Sequence, residues 1–127
     1  MTETFDFIVV GSGGGSMCAA LVMRAAGKSV LILEKTALLG GTTALSGGVM
    51  WIPNNRFMKE AGVEDSREMA LTYMAAVAGD NDTPSASPAR QEAYVDKAPE
   101  MIDFLLEKGI KLRRIPSWPD YQNAPGN

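Results

Sequence analysis

Apolar residues follow two different patterns along this chain. Residues 7–10 and 29–33 are short, mostly apolar runs rich in β-branched and aliphatic side chains, and such runs are typical of buried parallel strands. The small-residue stretch between them ends at Gly27, which predicts a connecting helix. The first part of the chain therefore predicts a strand–helix–strand unit with a parallel strand pair.

After Pro53 the spacing of the apolar residues becomes helical. Asp65 and Glu68 are predicted to form a capping box at the start of one helix. Residues 80–88 are polar and contain two prolines, and this composition predicts an exposed loop.

A further helix is predicted to start at Ser87 and Pro88, because proline suits the first helical turn. Pro99 is expected to divide the apolar positions that follow into two helices, since proline removes a backbone donor. The second of these helices would end at Gly109. Residues 110–115 are interpreted as a strand.

A Gly-x-Gly-x-x-Ser sequence directly follows the first predicted strand. Gly11 permits a sharp turn, Gly13 lets the backbone approach a pyrophosphate, and Ser16 stands where a third small residue packs the helix on the strand. The free N–H groups at the start of the helix would then face the phosphates. The loop predicts dinucleotide binding, although Ser16 replaces the usual third Gly or Ala.

Glu34 ends the second predicted strand, about twenty residues after the glycines, where an acidic side chain binds the ribose hydroxyls of a dinucleotide. The alternative is a solvated carboxylate at a strand end. The order of strand, glycines, helix and acid favours the ribose role. Lys35 alone would suit a 2′-phosphate, but the carboxylate of Glu34 would repel one.

A second glycine-rich segment covers residues 39–48. Nicotinamide domains usually continue into another crossover helix here, whereas a second cradle of N–H and hydroxyl groups suits a ligand that extends to a larger ring system. The segment therefore favours FAD over NAD. A flexible surface loop is the alternative, but two such loops flanking one acid argue against it.

Composition excludes several classes of function. The net charge of −3 leaves no electrostatic footprint for nucleic acid, and we expect no membrane span and no signal peptide. The single cysteine, Cys18, cannot form an intrachain disulfide, so a reducing, cytoplasmic setting is expected. The chain has no histidine, and with one cysteine no metal site is predicted.

Several motifs together resemble a known family. They are GSGGG at 11–15, LEKT at 33–36, GGTTALSGG at 40–48, WIP at 51–53, GVEDS at 62–66, AGD at 78–80 and PDY at 119–121. This set resembles the N-terminal part of FAD-dependent 3-ketosteroid dehydrogenases, in the fumarate reductase/succinate dehydrogenase flavoprotein superfamily. The resemblance spans nearly the whole chain.

The resemblance implies an α/β fold, a Rossmann-like FAD-binding domain of the GR2 type, of which this chain holds the N-terminal portion. Residues 1–53 would form the FAD-binding β–α–β unit with the second glycine-rich loop. Residues 54–127 would form a mainly helical continuation that ends in an active-site loop, and the substrate domain would lie outside this chain. Family members are several times longer, so we expect weak or no FAD retention by the chain alone.

The FAD contacts implied by the resemblance lie in the two glycine-rich loops and around the strand-end acid. They are expected at Gly11, Ser12, Gly13, Gly14, Gly15, Ser16, Glu34, Lys35, Thr36, Gly40, Gly41, Thr42, Thr43, Ser46, Gly47 and Gly48.

The resemblance also implies an active-site tyrosine. Tyr121 would assist proton removal from C2 of a 3-ketosteroid while N5 of the flavin accepts a hydride from C1, which desaturates the A ring. Trp118 and Val49 would contact the substrate, and Val49-Met50 after Gly48 leaves the identity of the steroid open. The implied partners are the steroid and an external electron acceptor. Whether the rest of the enzyme belongs to the same polypeptide or to a second chain stays open.

Three alternatives remain open. A fumarate-reductase-like flavoprotein would act on a small dicarboxylate, but that chemistry needs arginine and histidine clamps and this chain has no histidine. A ketosteroid 4-dehydrogenase would desaturate a different bond of the same ring. A non-catalytic FAD- or ADP-binding module, or a subunit of a split flavoenzyme, would have no turnover by itself.

Overall fold

The computed structural model describes residues 2–78, 85–118, 120 and 122–127. They belong to two compact units, Met1–Met50 and Trp51–Asn127. Most of the predicted loop at 80–88, together with Pro119 and Tyr121, lies outside the described residues.

The first unit is a β–α–β arrangement, as predicted. Its elements are strand β1 (Phe7–Val10), helix α1 (Gly14–Ala25), strand β2 (Val30–Leu33) and a 3₁₀ turn (Gly41–Leu45). The strands are parallel, with Val10 opposite Leu33. This register places the carboxyl ends of both strands at one edge, where the first glycine-rich loop and Glu34 begin.

Helix α1 packs against both strands. Ala20 of the helix and Val9 of β1 are buried, and alanine lets the helix backbone approach the sheet closely. Gly27 follows the helix with a positive φ of 78°, a conformation that glycine adopts without steric cost. The sequence prediction of a helix ending at Gly27 is therefore confirmed within two residues.

The opposite face of the strand pair is open in this unit. Ile8 and Val10 alternate with Val9 along β1 and are 53 % and 80 % exposed. The strands were expected to be buried, and among their described residues only Val9 of β1 is. Side-chain alternation in a strand allows one face to pack while the other stays open.

A hydrogen-bonded pair fastens the amino ends of the two strands. The N–H and the hydroxyl of Ser29 both donate to Oδ2 of Asp6, at 2.8 and 2.7 Å, and the N–H of Asp6 donates to the Ser29 hydroxyl at 2.9 Å. These bonds lower the pKa of Asp6, because they stabilise its carboxylate form.

The second unit is helical. Its elements are helix α2 (Arg56–Glu60), helix α3 (Arg67–Ala78) and helix α4 (Pro88–Glu107). Helices α3 and α4 pack together. Their buried side chains are Ala70, Tyr73, Val95, Ala98, Ile102 and Leu105.

Helix α4 is continuous through Pro99, so the predicted division into two helices is wrong. Proline removes one intrahelical hydrogen bond, but Ala98 and Ile102 on either side of it are buried. Tertiary packing therefore holds the helix across the proline. The start of α4 at Pro88, directly after Ser87, agrees with the sequence prediction.

Two other local predictions are wrong. The cap of α3 is Ser66, whose hydroxyl accepts the N–H of Met69 at 3.1 Å, whereas the carboxylate of Asp65 accepts the N–H of Asn54 at 2.6 Å. Residues 110–115 form no strand, because none of the described residues supplies a partner strand for them.

None of the helices in the described part of the chain is long and apolar enough to cross a membrane.

Candidate cofactor-binding site

The candidate site lies at the carboxyl edge of the β1–β2 pair. The N–H of Gly11 donates to the carbonyl of Leu33 at 2.7 Å, which extends the strand pairing into the first glycine-rich loop. Gly11 has a φ of 91°, in the left-handed region that favours glycine. The loop that follows β1 is thereby held beside Glu34, which follows β2.

The loop leads into the N-terminus of helix α1. Gly13 precedes the helix with an extended backbone and has no side-chain cap, and the first helical turn contains no acidic residue. A Cβ atom placed on Gly13 or Gly15 would meet nothing within 4 Å. The first-turn N–H groups of a helix have no intrahelical partners and carry its positive dipole end, so this cradle suits a pyrophosphate.

Glu34 receives three well-formed hydrogen bonds from two residues. Its Oε2 accepts the N–H of Ser12 at 3.0 Å and the Ser12 hydroxyl at 2.7 Å, and its Oε1 accepts the N–H of Thr36 at 3.1 Å. The Thr36 hydroxyl lies 3.3 Å from Oε1 but has its shorter contact, at 2.8 Å, with the carbonyl of Leu38. The Ser12 hydroxyl contributes most to lowering the pKa of Glu34 to about 2. The carboxylate is therefore ionised at neutral pH and acts as an acceptor, as ribose recognition requires.

Ser12 is the most deeply buried residue of the site, with 1 % of its surface exposed. Its hydroxyl also accepts the N–H of Gly40, the first glycine of the GGTTALSGG segment, at 2.9 Å. One serine side chain thus joins the first loop, the strand-end acid and the second loop. The sequence placed Ser12 in the cofactor site but gave no sign of this bridge.

The second glycine-rich loop lies against the start of helix α1. The Gly14 N–H donates to the Thr43 hydroxyl at 3.0 Å, and a Cβ on Gly14 would lie 3.1 Å from that hydroxyl. The Ser46 hydroxyl donates to the Thr43 carbonyl at 2.8 Å and accepts the N–H of Gly48 at 3.1 Å. Both predicted loops therefore come together at one edge of the unit.

The remaining expected site residues of this unit are at the surface, except Ser16, which is half-buried. Lys35, Thr42, Gly47 and Val49 are exposed, with 52 % of Val49 accessible. In the second unit, Trp118 is 57 % exposed. Tyr121 lies outside the described residues, so its predicted catalytic role stays a prediction.

Asp120, next to Tyr121 in sequence, is held by a residue that sequence reasoning missed. Tyr73, buried in α3, donates its hydroxyl to Oδ2 of Asp120. This hydrogen bond, together with burial, raises the pKa of Tyr73. The sequence places this tyrosine on the buried face of a helix. A polar partner could have been predicted from that position, because a buried phenol usually has one.

Trp51 lies in the same cluster of aromatic side chains. Its ring is tilted against that of Tyr73 with centroids 5.4 Å apart, and it stacks on Tyr94 with centroids 6.1 Å apart. The Tyr94 hydroxyl donates to the Trp51 carbonyl. These contacts fix the start of the second unit on helices α3 and α4.

Among the described residues, no group of three or more potential metal ligands is present. The polar groups that the described residues bring to the site are backbone N–H groups, hydroxyls and the carboxylate of Glu34.

This arrangement of strand, glycine loop, helix and strand-end acid defines a dinucleotide-binding domain. The model of the family described as "FAD binding domain" matches residues 6–126, and the chain belongs to this family. The expected Rossmann-like FAD-binding fold is confirmed, and FAD is the cofactor of the family.

Individual dehydrogenases are similar to nearly the whole length of this chain. The chain is 43 % identical over 126 residues to a 3-oxosteroid 1-dehydrogenase of Mycobacterium tuberculosis, covering 98 % of this chain and 22 % of that protein. It is 44 % identical over 129 residues to a 4-oxocyclohexanecarboxylate 2-dehydrogenase of Sinomonas cyclohexanicum, covering 98 % and 21 %. The expected resemblance to ketosteroid dehydrogenases is thereby confirmed.

A solved structure shows the same relationship. The 3-ketosteroid delta1-dehydrogenase from Sterolibacterium denitrificans, in complex with 1,4-androstadiene-3,17-dione, matches with a TM-score of 0.80 and 41 % identity, over 98 % of this chain and 22 % of that one. The chain thus spans about a fifth of the length of the relatives that it matches.

Proposed function

We propose that this chain is the FAD-binding N-terminal region of an oxidoreductase that desaturates the C1–C2 bond of 3-ketosteroids. The observation that carries the proposal is 41 % identity over 98 % of the chain to an enzyme solved with 1,4-androstadiene-3,17-dione. The carboxyl-edge site supports it, because its two loops and Glu34 supply the groups that a dinucleotide needs.

The residues of the first unit fit FAD in kind and in charge. Glu34 would bind the ribose of the adenosine, and the N–H groups at the start of α1 would bind the pyrophosphate. Thr43 accepts a hydrogen bond from Gly14, which leaves its own hydroxyl hydrogen available to donate to an anion. When bound, FAD supplies the ring that accepts a hydride during desaturation.

Tyr121 is proposed as the group that assists removal of the proton from C2 of the steroid. An ordinary phenol has a pKa near 10, so neighbouring groups must stabilise its ionised form for this role. The Tyr73–Asp120 contact anchors the residue just before it. Trp118, which is exposed, and Val49 would contact the apolar steroid rings.

The same proposal includes partners and a location. An external acceptor would reoxidise the flavin, and further polypeptide, in the same or a second chain, would complete the substrate site. We place the protein in the cytoplasm, in a route of steroid and lipid degradation, because its single half-buried thiol, Cys18, suits a reducing compartment.

The test is the intact mass and visible spectrum of the protein purified from its native source. A flavin band that bleaches without oxygen on addition of a 3-ketosteroid saturated at C1–C2, with formation of the 1-ene product, is expected. Tyr121→Phe should retain the flavin band and lose most of the bleaching rate. A colourless protein of 127 residues would instead indicate a non-catalytic module or a subunit that needs a partner.

A second substrate class is favoured by one observation, the 44 % identity to a dehydrogenase of 4-oxocyclohexanecarboxylate. A single-ring ketone offers the same desaturation chemistry with a smaller apolar surface and an added carboxylate. Anaerobic bleaching by 4-oxocyclohexanecarboxylate but not by a 3-ketosteroid would select this class. A product desaturated at C4–C5 would select the 4-dehydrogenase alternative, and bleaching by none of these ketones would reject the proposal.

A further inference from the structure

The Ser12 side chain makes hydrogen bonds in two directions from a buried position. Its hydroxyl lies 2.7 Å from Oε2 of Glu34 and 2.9 Å from the N–H of Gly40, and 1 % of the residue is exposed. A serine hydroxyl has a single hydrogen. Because the Gly40 N–H can only donate, the hydroxyl must accept there and give its hydrogen to Glu34.

Burial decides what this serine can do. At 1 % exposure its hydroxyl is closed off from a ligand, although neighbouring Gly11 and Gly13 line the open cradle. Its two bonds connect groups that would contact different parts of a dinucleotide. Glu34 would bind the adenosine ribose, and the loop beginning at Gly40 would contact the parts of the ligand beyond the adenosine.

We propose that Ser12 is a positioning residue that fixes the ribose-binding carboxylate and the second glycine-rich loop as one unit before the dinucleotide binds. The proposal deepens the cofactor-binding part of the proposed function and rests on it. Preorganisation of this kind raises affinity, because the ordering of two separate segments is already complete in the free protein.

Donors rather than a cation hold Glu34 in its charged form. The carboxylate takes hydrogen bonds from Ser12 and Thr36, and in the part of the chain that the structure describes it is in no ion pair. Removing the Ser12 hydroxyl therefore removes the leading cause of the low pKa of Glu34, and nothing charged replaces it.

The chain contains a matched control. Ser29 donates its backbone N–H and its hydroxyl to one carboxylate oxygen of Asp6, as Ser12 does to Glu34. Its hydroxyl also accepts a backbone N–H, but from Asp6 itself rather than from a third residue. That pair lies at the amino ends of the strands, away from the candidate site. Ser29→Ala therefore removes an equivalent hydroxyl without touching Glu34 or the second loop.

Two measurements on the ligand-free 127-residue chain test the bridge directly. A carbon-detected NMR titration should place the pKa of Glu34 near 2 in the unsubstituted chain and in Ser29→Ala, and clearly closer to the ordinary value of 4.5 in Ser12→Ala. Hydrogen exchange at the Gly40 amide should become at least about ten-fold faster in Ser12→Ala, since its acceptor is gone. Ser12→Thr, which retains the hydroxyl, should restore both properties.

A ligand titration then tests the link between the two loops. Ser12→Ala should weaken ADP binding, and it should weaken FAD binding further, by about ten-fold or more, because FAD extends beyond the part that Glu34 recognises. Ser29→Ala should leave both dissociation constants within about two-fold. Affinities are compared after correction for the folded fraction of each variant.

The outcomes distinguish a failure of the positioning role of Ser12 from a failure of the proposed function. An unchanged Glu34 pKa or unchanged Gly40 exchange in folded Ser12→Ala overturns the positioning role, as does equal weakening of ADP and FAD binding. If Ser12→Ala does not fold, Ser12→Cys, with its weaker donor, is measured in the same way. Failure of the unsubstituted chain and its native full-length form to bind either ligand would instead overturn the proposed function, while the ligand-free measurements still decide the bridge.

Discussion

Tyr73 in helix α3 donates its phenolic hydrogen to Asp120, which lies 47 residues further along the chain. The bond joins a buried helical side chain to the segment that leads into Tyr121. Because Tyr73 is only 4 % exposed, water does not readily replace its partner.

Tyr73→Phe should therefore lower the stability of the chain. A hydrogen bond to a charged group contributes about 1.5–3 kcal/mol, and we expect a loss in the free energy of unfolding at the low end of this range. Urea unfolding at neutral pH measures it. Tyr94→Phe is the control: its hydroxyl donates to a neutral carbonyl and 40 % of the residue is exposed, so an equal loss in both variants would contradict the special role of the Asp120 contact.

Glu34→Gln should change the response of the chain to acid. The pKa of Glu34 is lowered from 4.5 to about 2, so its hydrogen bonds stabilise the folded state fully above pH 4.5, and this contribution is lost as the pH falls through 2. The variant should be less stable than the parent at pH 7, and the difference should shrink between pH 5 and 2.

Urea midpoints at several pH values over this range would show that convergence. Glu64→Gln removes a carboxylate at an exposed position and serves as the control at pH 7, where only a small change in stability is expected. Parallel curves for Glu34→Gln and the parent would mean that the Ser12 and Thr36 bonds do not stabilise the carboxylate.

Gly40→Ala should destabilise the second loop. Gly40 has a φ of 102°, and a Cβ there would lie 2.6 Å from the Cβ of Ala44. Backbone strain alone costs about 1–3 kcal/mol, and the clash adds to it. Gly47→Ala, where a Cβ meets nothing within 4 Å and φ is not positive, should change stability by less than about 0.5 kcal/mol. Thermal unfolding of both variants distinguishes a specific requirement at Gly40 from general sensitivity of the loop.

Pro99→Ala should stabilise helix α4. Alanine is about 3 kcal/mol more favourable than proline inside a helix, and the loss of proline's restriction on the unfolded chain offsets about 1 kcal/mol of this. We expect a net gain of about 2 kcal/mol in the free energy of unfolding.

Pro88→Ala provides the comparison for that gain. Pro88 is the first residue of α4, where an N–H has no intrahelical partner, so its replacement should give no increase. If Pro99→Ala lowered stability, the packing contacts of the proline ring would contribute more to stability than the missing hydrogen bond costs.

The parts of the fold that the sequence predicted depend on neighbours close in the chain. The elements β1, α1 and β2 are determined locally, by β-branched runs, a glycine turn and a small-residue helix. The predicted role of Glu34 rests on its distance in sequence from the glycines. The predictions at Pro99 and at residues 110–115 were wrong because each depends on distant packing. The helix continues through the proline because buried neighbours hold it. The strand is missing because, in the part of the chain that the structure describes, no partner strand adjoins residues 110–115.

The same reasoning applies to the candidate site. Its glycines and acid are recognisable by type and spacing, but the hydrogen bonds that organise them are not. The Ser12–Gly40 bond spans 28 residues and the Tyr73–Asp120 bond spans 47, and neither pair has a sequence signature. Such long-range contacts can be identified only from the folded structure.

The Asp6–Ser29 pair at the amino ends of the strands has a consequence for how the domain can change over time. It fastens β1 to β2 at the edge opposite the one that carries the glycine loops and Glu34. Substitutions that alter ligand preference at the carboxyl edge therefore leave this fastening intact. A scaffold arranged in this way can diverge in cofactor contacts and substrate choice while the alignment of its two strands is inherited unchanged.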